Sequence, residues 1–473
     1  MDRPTALDLA FLDLETPQAP LHVGWTLRFD GPAPSVAALR RHLDARLGAV
    51  PRFRRRLTRV APDVPAWADD PSFDVARHVF GVSPRGDLAE LAGTLLSAPL
   101  PGDRPLWRMY LVDGLPGGGF ALVGQAHHAL LDGVAAVQVA QLLFGPEPEH
   151  GRADATWIPA PPPSAAAALG AVARTRGRAL AGVARATWEA LAPDGTSTPS
   201  QRASAVLRAA DALVAQPARC ELERSASARR TVAYADVELE AVRAAGRARG
   251  ATINDVLLTA TAQALRAALR RRGERRETLR ALVPVSVRAG DDPAMGNRIT
   301  FLPVALPVGE PDGRRALALV AARTAAAKAG GDAGALDALA RAADALPGPG
   351  RRLIARGAAR ALPFTLVVSN LPGPPVALSL MGRALRAVHP MVPLLHGHAL
   401  TVGAVSYEGR LHVGLAADAE VVPDAPAIAR DLEDAFAALA DAVSAPPRSG
   451  TPAPTATPRT PARARPLRTS PAR

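Results

Sequence analysis

The spacing of apolar residues in the first part of the chain predicts strands that alternate with helices. Between Leu21 and Gly31, apolar, β-branched and aromatic residues lead into an Asp-Gly turn, a pattern typical of a strand. Between Val36 and Val50, leucines recur at positions 39, 43 and 47 behind Ser35, a residue type that caps helices. This second segment is therefore predicted to be a helix.

Two apolar segments further along predict a β-hairpin. The residues at 107–112 (WRMYLV) and 120–126 (FALVGQA) are separated by DGLPGGG, a run of turn-forming residues. A helical pattern, VAAVQVAQLLF, follows from Val134 to Phe144. The short segment HHALLDG therefore lies where a buried strand gives way to a helix.

The second half of the chain repeats this mixture of helices and strands. The pattern from Ala251 to Gly273 predicts a long helix, and strands are predicted for ALVPVSVR, RITFLPVALPV and FTLVVSNLPGPP. The segment ALTVGAVSYEGRLHVGLAAD predicts two strands joined by a tight turn at Glu408-Gly409. Because both element types occur in both halves, we predict an α/β or α+β protein of two similar layers.

A change in composition divides the two halves. We predict an N-terminal subdomain at 1–145 and a C-terminal subdomain at 201–445, because the segment 146–200 opens as a Pro- and Ala-rich linker. A chain of 473 residues also exceeds the size of one ordinary core. Residues 446–473 hold eight prolines and no apolar periodicity, so we expect this tail to be disordered.

The linker contains one long helical pattern, from Ala165 to Leu191, that is both amphipathic and basic. Its apolar positions fall roughly on one side and are Leu169, Val172, Leu180, Val183, Trp188 and Leu191. The arginines at 174, 178 and 185 fall mostly elsewhere. Two interpretations are open: a helix that lies on a membrane surface, and a helix that packs on its own protein.

The formal net charge of +12 has more than one explanation. The tail supplies six arginines and no acidic residue, so half of the excess lies outside the predicted fold. The sequence shows no nucleic-acid-binding motif and only 4% aromatic residues for stacking on bases, which argues against nucleic acid as a partner. Attraction to anionic lipid headgroups and a merely solvated, arginine-rich surface both remain open.

Cysteine usage and the N-terminus bear on the compartment. The single cysteine, Cys220, excludes an intramolecular disulfide and a multi-cysteine zinc site, and it fits a reducing compartment. The segment MDRPTALDLAFLDLE carries acidic residues within its apolar part, unlike a signal peptide. Because the sequence has no long uncharged apolar run, we expect no transmembrane helix and a cytoplasmic location.

HHALLDG holds the strongest candidate chemistry, and its residues alone leave three interpretations open. His127, His128 and Asp132 could bind a metal, but adjacent residues on regular structure point apart and no further strong ligand is near in sequence. The histidines could instead be core residues whose ring nitrogens are hydrogen-bonded within the protein. In the third interpretation, an imidazole with a pKa near neutrality takes a proton from a hydroxyl. Gly133 would then let the chain turn tightly into the helix.

HHALLDG matches HHxxxDG, the active-site motif of the wax ester synthase/diacylglycerol acyltransferase family, and the chain resembles that family over nearly its whole length. In the first half, ALDLAFLDLETPQAPLHVGWTLRFDG, the arginine-rich PRFRRRL and the element PLW are similar to family segments. In the second half, so are GATINDVLLTATAQALR, PVSVR, GNRITFLPVALP, VVSNLPGPP and VSYEGRLHVGL. One short motif alone is a weak signal, whereas several in family order identify the chain as a member.

The resemblance implies a fold similar to chloramphenicol acetyltransferase, with two α/β subdomains and the active site in a tunnel at their interface. It also implies an O-acyltransferase that moves a long-chain fatty acyl group from acyl-CoA to diacylglycerol or to a long-chain alcohol. Acyl-CoA is then a co-substrate, and we expect no cofactor, no metal and no covalent intermediate. Because both acceptors partition into lipid, we expect peripheral association with the inner membrane or with lipid droplets.

The resemblance also implies roles for single residues. His128 is expected to be the general base, His127 a positioning residue, and Asp132 a support for the loop that pairs with an arginine, for which Arg288 and Arg298 are candidates. Expected substrate-binding or supporting residues are Gly133, Pro105, Leu106, Trp107, Asn254, Asp255, Ser369 and Asn370. Pro105, Leu106 and Trp107 are expected to shape the pocket, and Asn254, Ser369 and Asn370 are candidate oxyanion donors. The alternatives are a helix cap at Asn254–Asp255 and a turn at SNLPGP.

One segment departs from the family pattern, and two other functions are open. RCELERSASARR (219–230) stands where members carry a more apolar, asparagine-containing stretch, which puts the acceptor or CoA region in question.

An acyltransferase of the same fold with another acceptor, or with a carrier-protein donor, would share the motif. A non-catalytic lipid-binding or lipid-droplet protein would retain the fold, although the intact His128 and Asp132 argue against it.

Overall fold

The computed structural model describes residues 3–61, 64–83, 86–146, 157–162, 164–191, 220–286, 299–329, 346, 348–361 and 364–444. Its helices are α1 (Ala6–Leu14), α2 (Val36–Arg46), α3 (Leu88–Ser97), α4 (Gly133–Phe144), α5 (Ala165–Leu191), α6 (Leu239–Arg247), α7 (Ile253–Arg271), α8 (Gly313–Ala329), α9 (Gly348–Ala361) and α10 (Ala425–Ser444). Short 3-10 turns lie at Leu47–Ala49, Pro51–Arg54 and Val75–Arg77.

The strands of the described residues alternate with these helices in both halves of the chain. They are β1 (His22–Phe29), β2 (Arg55–Ala61), β3 (Val64–Asp69), β4 (Val79–Val82), β5 (Trp107–Val112), β6 (Phe120–His127), β7 (Arg230–Glu238), β8 (Leu279–Ser286), β9 (Ile299–Leu306), β10 (Leu366–Pro372), β11 (Ser379–Leu380), β12 (Arg383–Met391), β13 (Leu400–Tyr407) and β14 (Arg410–Asp418). The predicted mixture of α and β elements is therefore confirmed.

The first sheet has the strand order β11-β12-β1-β6-β5-β4. β6 lies in its interior, antiparallel to both β1 and β5, and every residue of β6 is buried. This explains why its sequence is mostly apolar and does not alternate between apolar and polar residues. The β5–β6 pair confirms the predicted hairpin. Helix α2 is confirmed as well, with the Ser35 side chain accepting a hydrogen bond from the Ala38 N–H.

The second sheet has the strand order β7-β14-β13-β10-β8-β9. β10 runs parallel to both β8 and β13, whereas β14 runs antiparallel to β7 and β13. Between β13 and β14, Glu408 and Gly409 have φ angles of 42° and 78°. Two positive φ angles in a two-residue loop match the right-handed twist of the strands it joins. The hairpin predicted at Glu408-Gly409 is therefore confirmed.

β12 ties the two sheets together. It comes late in the sequence, yet it pairs with β1 of the first sheet, where His389 lies opposite Thr26. Its end also lies so close to β14 that a Cβ on Gly414 would stand 2.1 Å from the carbonyl oxygen of Pro390. Glycine at 414 therefore allows the backbone of the first sheet to meet the backbone of the second.

Each sheet carries its own apolar core. The core on the second sheet includes side chains from α6, α7 and α10, among them Leu257 and Phe436, packed on strand residues such as Val402. The core on the first sheet includes Phe120 and Trp107 together with side chains of α2 and α4. Because burying one such side chain contributes about 1.5–3 kcal/mol, each core can stabilise its own layer.

Helix α5, predicted over the same residues, packs one face on the β2–β3 hairpin. Ala168 and Val172 are buried there against Val64. Leu169 and Leu180 remain 52% and 58% exposed, so packing on the protein accounts for only part of the apolar side. Further along the helix, the structure describes the backbone but not the side chains of Val183, Arg185, Trp188 and Leu191.

Among the described residues, no helix combines the length and the apolar character that crossing a bilayer requires. The tail predicted to be disordered, residues 446–473, lies outside the described residues.

The contact between β12 and β14 predicts that Gly414→Ala destabilises the fold. The added Cβ meets the Pro390 carbonyl, a backbone atom that cannot rotate away. We expect a loss of about 1–3 kcal/mol in the free energy of unfolding, as for other overpacked sites. Urea unfolding measures it, with Gly102→Ala as the matched control because a Cβ there has no neighbour within 4 Å. Equal stability of the two variants would show that the sheets are not in close contact.

Candidate active site

Backbone hydrogen bonds hold the HHALLDG segment between two neighbouring strands. The His127 N–H donates to the Leu106 carbonyl at 2.9 Å, and the His128 N–H donates to the Leu21 carbonyl at 2.8 Å. The Leu130 N–H then donates back to the His127 carbonyl at 2.8 Å, which turns the chain. β6 ends at His127, so His128 is the first residue beyond the sheet.

Asp132 closes this turn by capping α4. Its Oδ1 accepts a hydrogen bond from the Ala135 N–H at 2.8 Å, and the residue is buried. A cap of this kind contributes about 0.5–2 kcal/mol to helix stability. This cap lets Asp132 hold the turn in place, and its supporting role in the reaction stays a prediction. The arginines predicted to pair with it, Arg288 and Arg298, lie outside the described residues.

Gly133 is required for space rather than for backbone freedom. It begins α4 without a positive φ, so the turn does not depend on the left-handed conformation that glycine adopts easily. A Cβ at this position would stand 2.4 Å from Cδ1 of Leu371 on β10. Glycine therefore lets the start of α4, next to the histidines, approach the second sheet.

His127 is buried and points away from the cavity described below. Its Nδ1 accepts a hydrogen bond from the Ala129 N–H at 3.0 Å, so its proton lies on Nε2. That Nε2 faces a carboxylate oxygen of Glu15 at 3.6 Å. Nδ1 is thus used in fixing the turn and Nε2 faces Glu15, and the positioning role of His127 stays a prediction.

Glu15 is a site residue that sequence reasoning missed. Its carboxylate lies 3.4 Å from His22 as well as 3.6 Å from His127, and these histidines are direct cross-strand partners on β1 and β6. Burial alone would raise the pKa of Glu15, but hydrogen bonds and charge interactions with both histidines outweigh it and hold this pKa well below its usual range. Burial lowers the pKa of His22. Two features of the sequence could have indicated Glu15. It is a carboxylate directly after α1, and its segment resembles the opening segment of the family.

His128 is oriented by an aromatic ring from α1. Phe11 stacks on the imidazole with ring centroids 4.1 Å apart and planes inclined by 20°. The residue is half-buried, whereas its neighbour His127 is 2% exposed. His128 is therefore the histidine of the pair that can meet a second molecule.

A cavity of about 310 Å³ lies between the two sheets, and His128 lines it. Its walls come from β1, α4 and β12 on one side and from β10 on the other, and most of the lining side chains are apolar. Predicted site residues that the structure brings together around it are His128, Asp132, Gly133, Ser369 and Asn370. The volume lies at the lower end of the range of about 300–1,000 Å³ that is common for small-molecule sites. Walls of this composition favour an apolar group.

Ser369 and Asn370 lie within β10 rather than in a turn, so the alternative interpretation of SNLPGP as a turn is wrong at these two positions. They pair in parallel with Gly403 and Ala404 of β13. A strand holds its side chains more rigidly than a turn does, which suits hydrogen-bond donors that must be preorganised.

Pro105, Leu106 and Trp107 shape the site from behind and do not line the cavity. The Trp107 indole N–H donates to the Phe53 carbonyl at 2.7 Å, and Phe53 itself lines the cavity. His78 stacks on the indole with centroids 4.5 Å apart. Leu106 contributes through the carbonyl that holds His127.

Asn254 and Asp255 also lie outside the lining of the cavity. Thr252 caps α7, and the Asp255 carboxylate completes a capping box by accepting from the Thr252 N–H at 2.8 Å. The other carboxylate oxygen accepts from the Thr324 hydroxyl at 2.7 Å, which ties α7 to α8. The structure thus favours the helix-cap interpretation for Asp255 and gives Asn254 no place at the cavity.

Two further residues complete the surroundings. Arg52, from the arginine-rich PRFRRRL segment, is buried and donates to the Leu130 carbonyl at 3.3 Å, a support for the turn that was not predicted.

Burial raises the pKa of the Cys220 thiol to about 11, so this cysteine is protonated at neutral pH and is a poor nucleophile.

Comparisons with known proteins cover nearly the whole chain. A model of the wax ester synthase/diacylglycerol acyltransferase catalytic domain matches residues 5–257, and a model of the C-terminal domain of the same proteins matches residues 295–440. A Mycobacterium tuberculosis protein named as a probable diacylglycerol O-acyltransferase is 33% identical, over 93% of this chain and 96% of its own length. A second so named from that organism is 29% identical, over 94% and 100%.

Solved structures show the same fold. The wax ester synthase/diacylglycerol acyltransferase of Marinobacter aquaeolei VT8 superposes with a TM-score of 0.64 at 24% identity, over 93% of this chain and 99% of that one. The first condensation domain of the calcium-dependent antibiotic synthetase superposes with a TM-score of 0.56 at 16% identity, over 94% and 96%. The expected two-part acyltransferase fold is therefore confirmed.

The pH dependence of stability tests the contacts of Glu15 with His22 and His127. Because the folded state holds the pKa of Glu15 below its ordinary value of 4.5, the ionised carboxylate stabilises the fold above that pH, and this stabilisation is lost as the pH falls further. We expect wild type to be more stable than Glu15→Gln at pH 7, with the difference shrinking below pH 4.5. Urea unfolding at a series of pH values measures this difference.

The control for this experiment is Glu90→Gln, which removes an exposed carboxylate from α3. It is expected to show no comparable pH-dependent difference. If Glu15→Gln is as stable as wild type at both pH 7 and pH 3, the two histidines do not hold the carboxylate.

Proposed function

The chain belongs to the wax ester synthase/diacylglycerol acyltransferase family and is an acyltransferase, and we propose that it transfers a fatty acyl group from acyl-CoA to the hydroxyl of diacylglycerol. The product is then a triacylglycerol. A long-chain alcohol is the second proposed acceptor and gives a wax ester. The relatives at 33% and 29% identity support the first acceptor, because both carry the name of a diacylglycerol O-acyltransferase.

One observation carries the proposal: His128 faces an apolar cavity between the two sheets. A fatty acyl chain needs a long apolar enclosure, and the transfer needs one base at the point where hydroxyl and thioester meet. Residues of α4 and β12, including Val139, Leu143 and Val388, supply the apolar walls. Because water is largely displaced from such a cavity, the thioester reacts with the bound hydroxyl in preference to hydrolysis.

The proposed reaction is direct transfer. His128 takes the proton of the acceptor hydroxyl, and the oxygen attacks the thioester carbonyl carbon. The resulting tetrahedral oxyanion collapses by breaking the carbon–sulfur bond, which forms the ester and expels CoA thiolate. The thiolate takes the proton back from His128, so the base is regenerated and no acyl-enzyme is formed.

Ser369 and Asn370 are the proposed donors to the oxyanion. They line the cavity on the β10 side, whereas His128 lines it from the first sheet. A hydroxyl and an amide N–H can donate hydrogen bonds to a negatively charged oxygen. Placing base and donors on different sheets allows the reacting carbonyl to lie between them.

His127, Asp132 and Glu15 are proposed to support this arrangement without taking part in proton transfer. His127 accepts a hydrogen bond from the Ala129 N–H, and Asp132 accepts one from the Ala135 N–H. Glu15 contacts His22. These contacts fix the turn that presents His128. Proton transfer and oxyanion stabilisation are sufficient for acyl transfer, so we propose acyl-CoA as co-substrate and no cofactor or metal in the reaction.

We also propose that the protein works at a lipid surface, where its acceptor resides. Helix α5 presents Leu169 and Leu180 to solvent, and exposed arginines at positions 174 and 178 lie on the same helix. Leucines beside basic residues suit the interface of an anionic membrane. The net charge of +12 supports the same attraction. This favours a cytoplasmic protein bound peripherally to the inner membrane or to lipid droplets.

His128→Ala tests the proposed base. We expect acceptor-dependent release of CoA thiol from palmitoyl-CoA, measured with 1,2-diacylglycerol and with hexadecanol, to fall by a factor of about 100 or more. His396→Gln, which removes an exposed imidazole, is the matched control and is expected to retain wild-type rates. Retention of full activity in His128→Ala would overturn the mechanism. Wild-type thiol release that depends on neither acceptor would direct attention to another acceptor or to lipid binding.

The double substitution Leu169→Ser, Leu180→Ser tests membrane contact. We expect wild type to sediment with vesicles that contain phosphatidylglycerol at low salt, and the variant to bind on the order of tenfold more weakly because less apolar surface enters the bilayer. Leu319→Ser is the control, since Leu319 is 40% exposed on α8 rather than on α5. No sedimentation of wild type, or equal losses in variant and control, would contradict a membrane contact through α5.

A further inference from the structure

Three side chains with metal-binding atoms meet where the two sheets join. Asp236 on β7, His389 on β12 and His412 on β14 place their ligand-type atoms within 4.8 Å of one another. His389 Nε2 lies 2.9 Å and His412 Nδ1 lies 2.5 Å from the same oxygen, Oδ1 of Asp236. Both histidines are 1% exposed. None of the three lines the cavity that contains His128.

Backbone pairing fixes the positions of these three residues. Asp236 and His412 are direct partners in the antiparallel β7–β14 pair. His389 reaches them from the other sheet, where β12 pairs with β1. The two imidazole rings meet edge to face, with centroids 5.4 Å apart. Side chains held by strands in this way need little reorganisation to converge on a common point.

The donor set matches a borderline transition metal. Two imidazole nitrogens and one carboxylate oxygen are ligands of Zn²⁺, with the fourth tetrahedral position left to water. At bond lengths of about 2.0–2.2 Å, tetrahedral ligands stand roughly 3.3–3.5 Å apart. The two separations of 2.5 and 2.9 Å therefore need to open by no more than about 1 Å to admit an ion.

The cluster has an entry path and a second carboxylate nearby. The Asp236 side chain is 37% exposed, so a cation and its water can approach from the carboxylate side. Glu433 on α10 accepts a hydrogen bond from the Asp236 N–H at 3.0 Å and adds negative charge. The nearby guanidinium of Arg410 is paired with Glu238 and donates to the Asp236 carbonyl, which limits its repulsion of a cation.

We propose that Asp236, His389 and His412 form a structural site for a single zinc-class divalent cation that clasps β12 of the first sheet to β7 and β14 of the second. The ion has no part in acyl transfer. Its effect is on the contact between the two sheets. Pro390 and Met391 follow His389 directly, and both line the cavity. Fixing His389 therefore fixes one wall of the cavity.

The test uses the full-length chain without an affinity tag, stripped of metal by a chelator. Zn²⁺ binding is measured by titration calorimetry, and Co²⁺ binding by its visible absorption. We expect one ion per chain, a tetrahedral cobalt spectrum and a rise in Tm on adding Zn²⁺. Loss of even an outer-shell partner typically weakens metal affinity about 10- to 100-fold, so His389→Gln, His412→Gln and Asp236→Asn should each weaken it by at least about tenfold. His396→Gln is the control and should bind as wild type does.

A second measurement keeps the proposal testable if the variants do not fold. Crystals of wild type grown with Zn²⁺ are examined by anomalous diffraction at the zinc edge. A peak between the three side chains is expected. Absence of binding by wild type, a peak elsewhere, or unchanged affinity in all three variants would show that the residues form a hydrogen-bonded cluster without an ion.

Discussion

The contact of β12 with the second sheet is the constraint on which the site depends. β12 is paired with β1, yet the Pro390 carbonyl lies against the position where a Cβ of Gly414 would stand. This contact brings the two sheets close enough to share one cavity, with His128 on one wall and Ser369 and Asn370 on the other. Neither sheet could form that cavity alone.

In the proposed mechanism, the chemistry is concentrated on a single side chain, that of His128. The polar groups around it contact one another: His127 and His22 lie beside Glu15, and Asp132 caps the start of α4. Contacts of this kind hold a turn in one conformation. His128 remains the half-buried member, stacked on Phe11 and open to the cavity. The arrangement supports one base that is positioned by several residues that do not react.

Features set by local sequence were predictable. The β13–β14 hairpin follows from the Glu408-Gly409 turn, and α2 follows from leucine spacing behind Ser35, because in both cases the determining residues are neighbours in the chain. HHALLDG was recognisable for the same reason. The helix-cap alternative for Asp255 followed from its place at the start of α7.

Features set by contacts between distant segments were not predictable. Glu15 meets His127 across more than a hundred residues, and no spacing rule connects them. Arg52 contacts the Leu130 carbonyl although 78 residues separate the two in the chain. The pairing of β12 with β1 depends on how two cores pack, which periodicity does not report. Pro105, Leu106 and Trp107 were expected to shape the pocket, and none of them lines it; Trp107 contacts Phe53, and Leu106 holds His127 through its carbonyl.

We propose that acyl transfer at His128 is direct and needs both substrates in the cavity together. A single-turnover experiment tests this: enzyme in excess is mixed with radiolabelled palmitoyl-CoA, without acceptor, and free CoA and protein-bound label are quantified. We expect no label to become attached to the protein, and CoA to be released rapidly only when diacylglycerol or hexadecanol is added. Stoichiometric release of CoA with label bound to the denatured protein would establish an acyl-enzyme and rule out direct transfer.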